Sequence, residues 1–340
     1  MSNFVHLHLH SQYSILDGAT NIKRLKERLK ELGMPAVAIT DHGNLFGVKE
    51  FHSIFSGSGI KPIIGCETYV ARRSRFDKDK DAKDDRSGDH LVVLAKNYTG
   101  YQNLVKLITI AWIEGFYSKP RIDKEILFKY KEGLIISSAC IAGEIPRAIL
   151  SDDIARAEEV ITEFKNEFGD DFYLEVMRHP TNDPTADQTV YPLQEKSNKI
   201  IFDLAQKHNV KIIATNDVHF LRKEEAEAHD RLICINTNAL VTDPSRLHYT
   251  KEEYLKSFEE MQSLFSDHPE VLENTLEISA KVEEYNINHK PVMPEFPIPE
   301  GFESADDYLR HLTYEGAKEL YGVISDELKE RIEFELATVK

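Results

Sequence analysis

Three histidines alternate with two leucines in His6-Leu-His-Leu-His10, and this spacing is the strongest chemical signal in the chain. Extended backbone sends successive side chains to opposite faces, so His6, His8 and His10 are expected on one face and Leu7 and Leu9 on the other. The leucines read as core contacts. Imidazoles buried side by side strand ring nitrogens that need partners, and a divalent metal supplies them. A solvent-facing edge strand with incidental histidines is the plainer alternative. Further donors stand at the ends of other apolar runs: Asp17, His42, Glu67, His90, Cys140, Asp217 and His219. With His8 and His10 they offer imidazole, carboxylate and thiolate, the ligands of first-row divalent ions. One such residue after a strand means little, but their recurrence at successive junctions is hard to assign to packing. Cys66 points away from Glu67 on its strand and reads as core.

Short apolar runs and helical stripes alternate and must position these donors. Phe4–Ser11, Ala36–Thr40, Lys61–Val70, His90–Ala95, Gly133–Cys140, Phe172–Met177 and Val210–Asp217 predict strands. Between them, Ile22, Leu25, Leu29 and Leu32 form one apolar stripe, capped by Thr20 or Asn21 and stopped by Gly33. Leu45–Phe55, Tyr101–Ile113, Asp152–Phe168 (capped at Ser151 or Asp152) and Tyr191–His208 are also expected as helices. Repeated β/α units with apolar strands imply a parallel sheet covered by helices, and closure would make a (β/α) barrel. Such barrels gather their chemistry at the C-terminal strand ends, where His42, Cys140, Asp217 and His219 fall. His90 fits less well, since it opens its strand. Arg72–Asp89, dense in charge, reads as a mobile, solvated surface loop.

Beyond about Lys251 the pattern changes to helices without strands. Pro291–Pro299 is an extended proline-rich connector, and helices follow near Ser304–Leu320 and Ser325–Lys340. The expected division is 1–285, a connector over 286–302, and a helical segment over 303–340 that opens a longer, truncated region. Its 340 residues, 41% hydrophobic and 29% charged, are enough for a large core. No membrane-length apolar run or signal peptide is apparent, and the three widely spaced cysteines make no disulfide framework. A reducing, cytoplasmic setting is expected. The net charge of −16 argues against a broad basic cradle for nucleic acid. A metal cluster would invert the field locally and could still draw in an anionic substrate.

Phe4-Val-His-Leu-His-Leu-His-Ser11, Tyr13-Ser-Ile-Leu-Asp-Gly18, Thr40-Asp-His-Gly-Asn44, Ile63-Ile-Gly-Cys-Glu67, Lys119-Pro-Arg-Ile-Asp123 and Ala214-Thr-Asn-Asp-Val-His219 carry a family likeness. They resemble the PHP (polymerase and histidinol phosphatase) metal-dependent phosphoesterases. Within these, the wording is most similar to the N-terminal PHP domains of bacterial replicative DNA polymerase III alpha subunits. The resemblance covers nearly the whole chain and implies a distorted (β/α)7 barrel of the PHP type with a C-terminal helical extension. It further implies a divalent metal cluster of up to three zinc ions, with manganese as the alternative. His8, His10, Glu67 and Asp217 would hold one ion. Glu67 would bridge to a second on His90 and Cys140, while Asp17, His42 and His219 would hold the third, leaving His6 as a neighbour. Many relatives carry His where this chain has Cys140, and thiolate favours zinc over manganese.

The activity implied is metal-dependent phosphodiester hydrolysis, a 3′→5′ exonuclease acting on single-stranded or frayed DNA in proofreading during replication. Asp17, His42, Glu67 and Asp217 would carry it, and Lys119 and Arg121 are expected to contact phosphate. Ordinary surface charge is the alternative for the last two. The region after Pro299 looks like the start of a DNA-directed DNA polymerase, a nucleotidyltransferase whose magnesium-binding carboxylates should lie beyond Lys340. Two other readings remain: a metal-stabilised scaffold docking a separate proofreading subunit and other replisome subunits, or a phosphatase of small phosphate monoesters.

Overall fold

The structure, a computed structural model, describes residues 4–82 and 85–340. The chain divides into two units, Met1–Ile287 and Asn288–Lys340. In the first, seven strands form one sheet: β1 (Ala36–Ile39), β2 (Lys61–Val70), β3 (Asp89–Ala95), β4 (Arg121–Ile122), β5 (Leu134–Ser137), β6 (Phe172–Val176) and β7 (Lys211–Ala214). Their order is β1-β2-β3-β5-β6-β7, with β4 lying against β2. The N-terminal segment pairs to β1 through His6 and Val37, and beyond β7 through Leu9 and Val218. This curls the sheet into a distorted barrel of the expected α/β class.

The all-parallel expectation fails at β3, which runs antiparallel to both β2 and β5. Parallel neighbours need a crossover, usually a helix, and the described residues of 71–88 contain no α-helix, so the chain returns in the opposite direction. This resolves the awkward position of His90. The start of β3 sits beside the end of β2, with Tyr69 opposite His90.

Alternate strand residues face two apolar layers. Val5, Leu7, Ala38, Ile63, Val92, Ile135 and Ile213 pack within the curl. Leu9, Val37, Ile64, Val93, Ile136 and Leu174 pack outward with helices such as α1 (Ile22–Glu31) and α2 (Val48–Phe55). Leu7 and Leu9 therefore lie in different layers, contrary to strict alternation. A bend at His8, where the segment changes pairing partner, breaks the pleat. His6 consequently turns to the Lys256 carbonyl at 2.9 Å and packs on Phe4 rather than joining His8 and His10.

The caps follow side-chain chemistry. Asn21 accepts the amides of Lys23 and Arg24 at the start of α1, and Asn97 caps α3 (Tyr98–Ile113). The helix expected from Asp152 begins instead as α6 (Ile154–Phe168), capped by Asp153, because Asp152 takes a positive φ after α5 (Glu144–Leu150). The sequence reading missed α5. It also missed α4 (Lys124–Lys129), capped by Asp123. α7 (Val190–His208), α8 (Ala226–Thr237), α9 (Phe258–Leu264) and α10 (Glu270–Lys281) complete this unit. In the second, α11 (Ala305–Tyr321) and α12 (Asp326–Val339) are capped by Ser304 and Ser325 and joined by the Arg310–Glu333 ion pair. No helix is long and apolar enough to cross a membrane among the described residues.

Arg121 does not reach for phosphate. Its side chain is 0% exposed. The guanidinium donates to the carbonyls of Gly115 (3.0 Å), Arg75 (3.0 Å), Asp77 (2.8 Å) and Asp85 (2.5 Å). The charged segment above it is correspondingly tied down, contrary to the mobile loop expected, although Lys83 and Asp84 lie outside the described residues. Arg73 pairs with Asp85 at 2.5 Å, and Arg75 with Glu114 at 2.8 Å and Asp123 at 3.0 Å. Burying those carbonyls without a donor is costly. Arg121→Met is therefore expected to lower folding stability by about 3 kcal/mol and to open residues 72–88 to proteolysis. Denaturant unfolding at wild-type midpoint would show that the guanidinium has no such role.

Candidate metal centre

The donors reach one end of the curled sheet by different routes. His8 and His10 come from the N-terminal segment, His42 follows β1, Glu67 stands within β2, and His90 near the start of β3. Cys140 follows β5, and Asp217 and His219 follow β7. Two of these positions rest on unusual backbone. Ala139, just before Cys140, has φ +59° and Asp217 itself φ +45°, a left-handed region that L residues rarely adopt.

Glu67 is central. Its Oε1 lies 2.8 Å from His90 Nδ1 and 3.3 Å from His8 Nε2, and its Oε2 lies 2.5 Å from His42 Nδ1. Asp217 Oδ1 lies 3.3 Å from His8 Nε2 and 3.1 Å from His10 Nε2. Asp17 Oδ1 lies 3.4 Å from His42 Nε2 and 4.0 Å from His219 Nε2. Cys140 Sγ is 3.7 Å from His90 Nδ1. Among the described residues three compact donor groups result: His8, His10 and Asp217; Glu67, His90 and Cys140; and His10, His42 and His219. Asp17 borders the third group, which takes in His10 as well. The sequence-expected donors are thus brought together, whereas His6 and Arg121 lie apart from them.

Behind these atoms stands a layer that sequence reasoning did not single out. Glu175, at the end of β6, accepts from His8 Nδ1 at 2.7 Å and is anchored by the hydroxyls of Ser137 (2.5 Å) and Thr215. Ser14 joins His10 Nδ1, at 3.0 Å, to the buried Asp41. The Tyr249 hydroxyl donates to Asp17 Oδ2 at 3.0 Å, and His229 Nε2 donates to the Asp17 carbonyl at 2.7 Å. Glu175 had one available signal. In Phe172-Tyr-Leu-Glu-Val176 it shares with Tyr173 the face opposite Phe172, Leu174 and Val176.

Burial and charge pull these groups in opposite directions. Burial opposes protonation of His8, yet Asp217, Glu175 and Glu67 hold its pKa well above the ordinary imidazole value. Burial likewise opposes charging of His42, which Asp17 and Glu67 nonetheless raise to about 10. His10 falls to about 3, through burial and then the neighbouring His42 and His219. Burial disfavours charge on Glu67 and Asp217, but the surrounding imidazoles hold both below the carboxylate range. The Cys140 thiol is pushed up by burial and then by Glu67 and Asp217.

Several inward-facing atoms approach one another closely without a well-directed hydrogen bond: His8 Nε2, His10 Nε2, His42 Nδ1, Asp17 Oδ1, Glu67 Oε2 and Asp217 Oδ1. Ring nitrogens and carboxylate oxygens buried together without well-directed hydrogen bonds are costly, and bound cations would satisfy them. The donor set therefore fits divalent metal. Glu175 holds a proton on His8 Nδ1 and leaves Nε2 as the ligating nitrogen, the role that carboxylates play behind metal-binding histidines. Glu175→Gln is expected to weaken zinc binding about tenfold, measured by competition with a chromogenic chelator, with unchanged far-ultraviolet circular dichroism. Wild-type zinc affinity in this variant would remove Glu175 from the site.

The sequence can now be set beside known proteins. A family model described as the PHP domain matches residues 6–179. The chain is similar to the DNA polymerase III subunit alpha of Borreliella burgdorferi, 44% identical over 340 residues, covering 99% of this chain and 29% of that protein. The corresponding protein of Treponema pallidum is 42% identical over 339 residues, covering 99% of this chain and 28% of that protein. That of Thermus aquaticus is 42% identical over 327 residues, covering 94% and 26%. The chain thus spans less than a third of the length of these curated relatives. Among solved structures it overlaps a two-domain Bacteroides vulgatus protein predicted to contain a PHP-like metal-dependent phosphoesterase, at 13% identity and a TM-score of 0.36 over 81% of this chain and 63% of the other. The match over residues 6–179 takes in just over half of the 340 residues, and the chain belongs to the PHP domain family.

Proposed function

We propose that this site hydrolyses phosphodiester bonds with bound divalent cations, acting as a 3′→5′ exonuclease on single-stranded or frayed DNA. The observation that carries the reading is the place of Glu67, whose two oxygens face different donor groups: Oε1 lies 2.8 Å from His90 and Oε2 2.5 Å from His42. A carboxylate so placed can join neighbouring cations. His8, His10, Glu67 and Asp217 would hold one; Glu67, His90 and Cys140 a second; Asp17, His42 and His219 a third. The Cys140 sulfur favours zinc, with manganese the alternative. When bound, such ions lower the pKa of a coordinated water and stabilise charge developing at phosphorus.

The chain itself supplies orientation and selectivity. Glu175 and Ser14 fix the rings of His8 and His10 through their Nδ1 atoms. Tyr249 holds the Asp17 carboxylate. Lys119, whose ammonium sits 5.2 Å from the Tyr69 ring centroid, is the side chain we assign to phosphate in place of Arg121. Kinship to replicative polymerases supports proofreading during replication, in the cytoplasm, with DNA and other replisome subunits as partners. In that setting residues 1–285 form the phosphoesterase unit, 286–302 a connector, and 303–340 the start of a magnesium-dependent polymerase region.

His8→Ala and Asp217→Asn should each reduce nucleotide release from a 3′-labelled single-stranded oligonucleotide at least 100-fold, with the fold retained. Unchanged digestion by either variant would remove the assignment. The complete burial of His8 and His10 favours a second reading, in which the metal chiefly stabilises a scaffold that docks a separate proofreading subunit. Zinc-loaded protein that melts higher than chelated protein, yet releases no nucleotide, would select it.

A further inference from the structure

Beside the metal centre lies an aromatic strip to which hydrolysis assigns no task. Phe46, Trp112 and Phe116 are 56%, 42% and 45% exposed. Their ring centroids follow one another at 6.1 Å (Phe46 to Trp112) and 5.4 Å (Trp112 to Phe116, nearly parallel). Large rings left in water together are unusual on a protein surface.

The strip is fastened to the site. Trp112 Nε1 donates to the carbonyl of Gly43 at 2.9 Å, and Gly43 directly follows His42. At Gly43, with φ +59°, a Cβ would meet Pro120 Cγ at 2.7 Å and the Tyr69 ring at 3.1 Å, so only glycine allows this close packing. The Tyr69 ring in turn lies 5.2 Å from that of His90 and carries the Lys119 ammonium 5.2 Å from its centroid. Through Gly43 the exposed rings are thus joined to the Tyr69 ring and the Lys119 cation, which border the donor cluster.

Local charge decides what such a surface would take. Glu114, at the end of α3, is engaged by Arg75 at 2.8 Å, and Glu50 accepts the Tyr13 hydroxyl at 2.9 Å. Lys119 makes no ion pair among the described residues, and the cations of the adjacent site would add positive potential. Anionic backbone beside flat rings is the combination that binds single-stranded nucleic acid, because every base offers a π-face. We propose that Phe46, Trp112 and Phe116 form a stacking platform for the unpaired bases of a single strand whose phosphates lead past Lys119 into the metal centre. This inference rests on the hydrolytic reading above and names how that site would prefer unpaired ends.

The chain contains one tryptophan, so its fluorescence reports on the platform directly. The full chain is titrated with a ten-nucleotide oligothymidylate whose phosphorothioate linkages resist cleavage. Saturable quenching is expected, and Phe46→Ala and Phe116→Ala should each weaken binding about tenfold. Lys119→Ala should flatten the salt dependence. Hydrolysis of bis(p-nitrophenyl) phosphate, too small to need the platform, should be unchanged in Phe46→Ala and Phe116→Ala. Absence of quenching, unchanged affinity in both phenylalanine variants, or equal quenching by a blunt duplex overturns the platform, and the last result would leave a general anion site. Quenching as expected with no diester hydrolysis supports the platform and overturns the hydrolytic reading instead.

Discussion

The constraint on which this structure turns is the burial of several like-natured acceptors in one place. Glu67, Asp217 and Asp17 meet the rings of His8, His10 and His42 with little solvent, and many of the atoms that face one another make no well-directed hydrogen bond. Such a centre is stable only if something positive shares it. The carboxylates raise the pKa values of His8 and His42 against the burial that opposes their charging, which favours protons there. Divalent cations would do it more completely, since each could satisfy several acceptors and would also draw the Cys140 thiol into its anionic form.

The scaffold serves that concentration of charge. Reversal of β3 is needed to bring His90 onto Glu67, because a parallel β3 would carry its first residues to the opposite end of the sheet. Left-handed backbone at Ala139 and Asp217 aims two further donors, Cys140 and Asp217. Serine, threonine, tyrosine and carboxylate partners behind the rings then limit their rotation. Arg121 performs an analogous service at a distance, gathering backbone carbonyls of the segment that follows β2.

Much of this was legible in the sequence because its signals are local. Alternation within short apolar runs marked the strands, and chemically similar residues at their ends marked the donors. Other features depend on contacts remote in sequence. Nothing within His90–Ala95 tells its direction; only the lack of a helical apolar stripe in the sequence between Val70 and Asp89 bears on it. Arg121 looks like a surface cation in Lys119-Pro-Arg-Ile-Asp123, and its burial follows from carbonyls at 75–85 that the motif does not contain. The histidine alternation misled at His6, since one bend at His8 transfers the segment from β1 to the residues after β7. Glu175 was passed over because a lone acid in an apolar strand acquires meaning only once His8 is known to face it.

The same N-terminal segment bears on how the molecule comes into being. Its backbone is tied to Val218, with His10 N donating to the Val218 carbonyl at 2.7 Å, and Phe220 is in turn bridged to Tyr254. During synthesis this segment must wait for partners made more than two hundred positions later. The nascent chain thus carries His8 and His10 without their Asp217 partner until that residue is made, and a cation held by these three would bind only after the ring closes. Assembly of the centre is a late, long-range event that joins the two ends of the barrel.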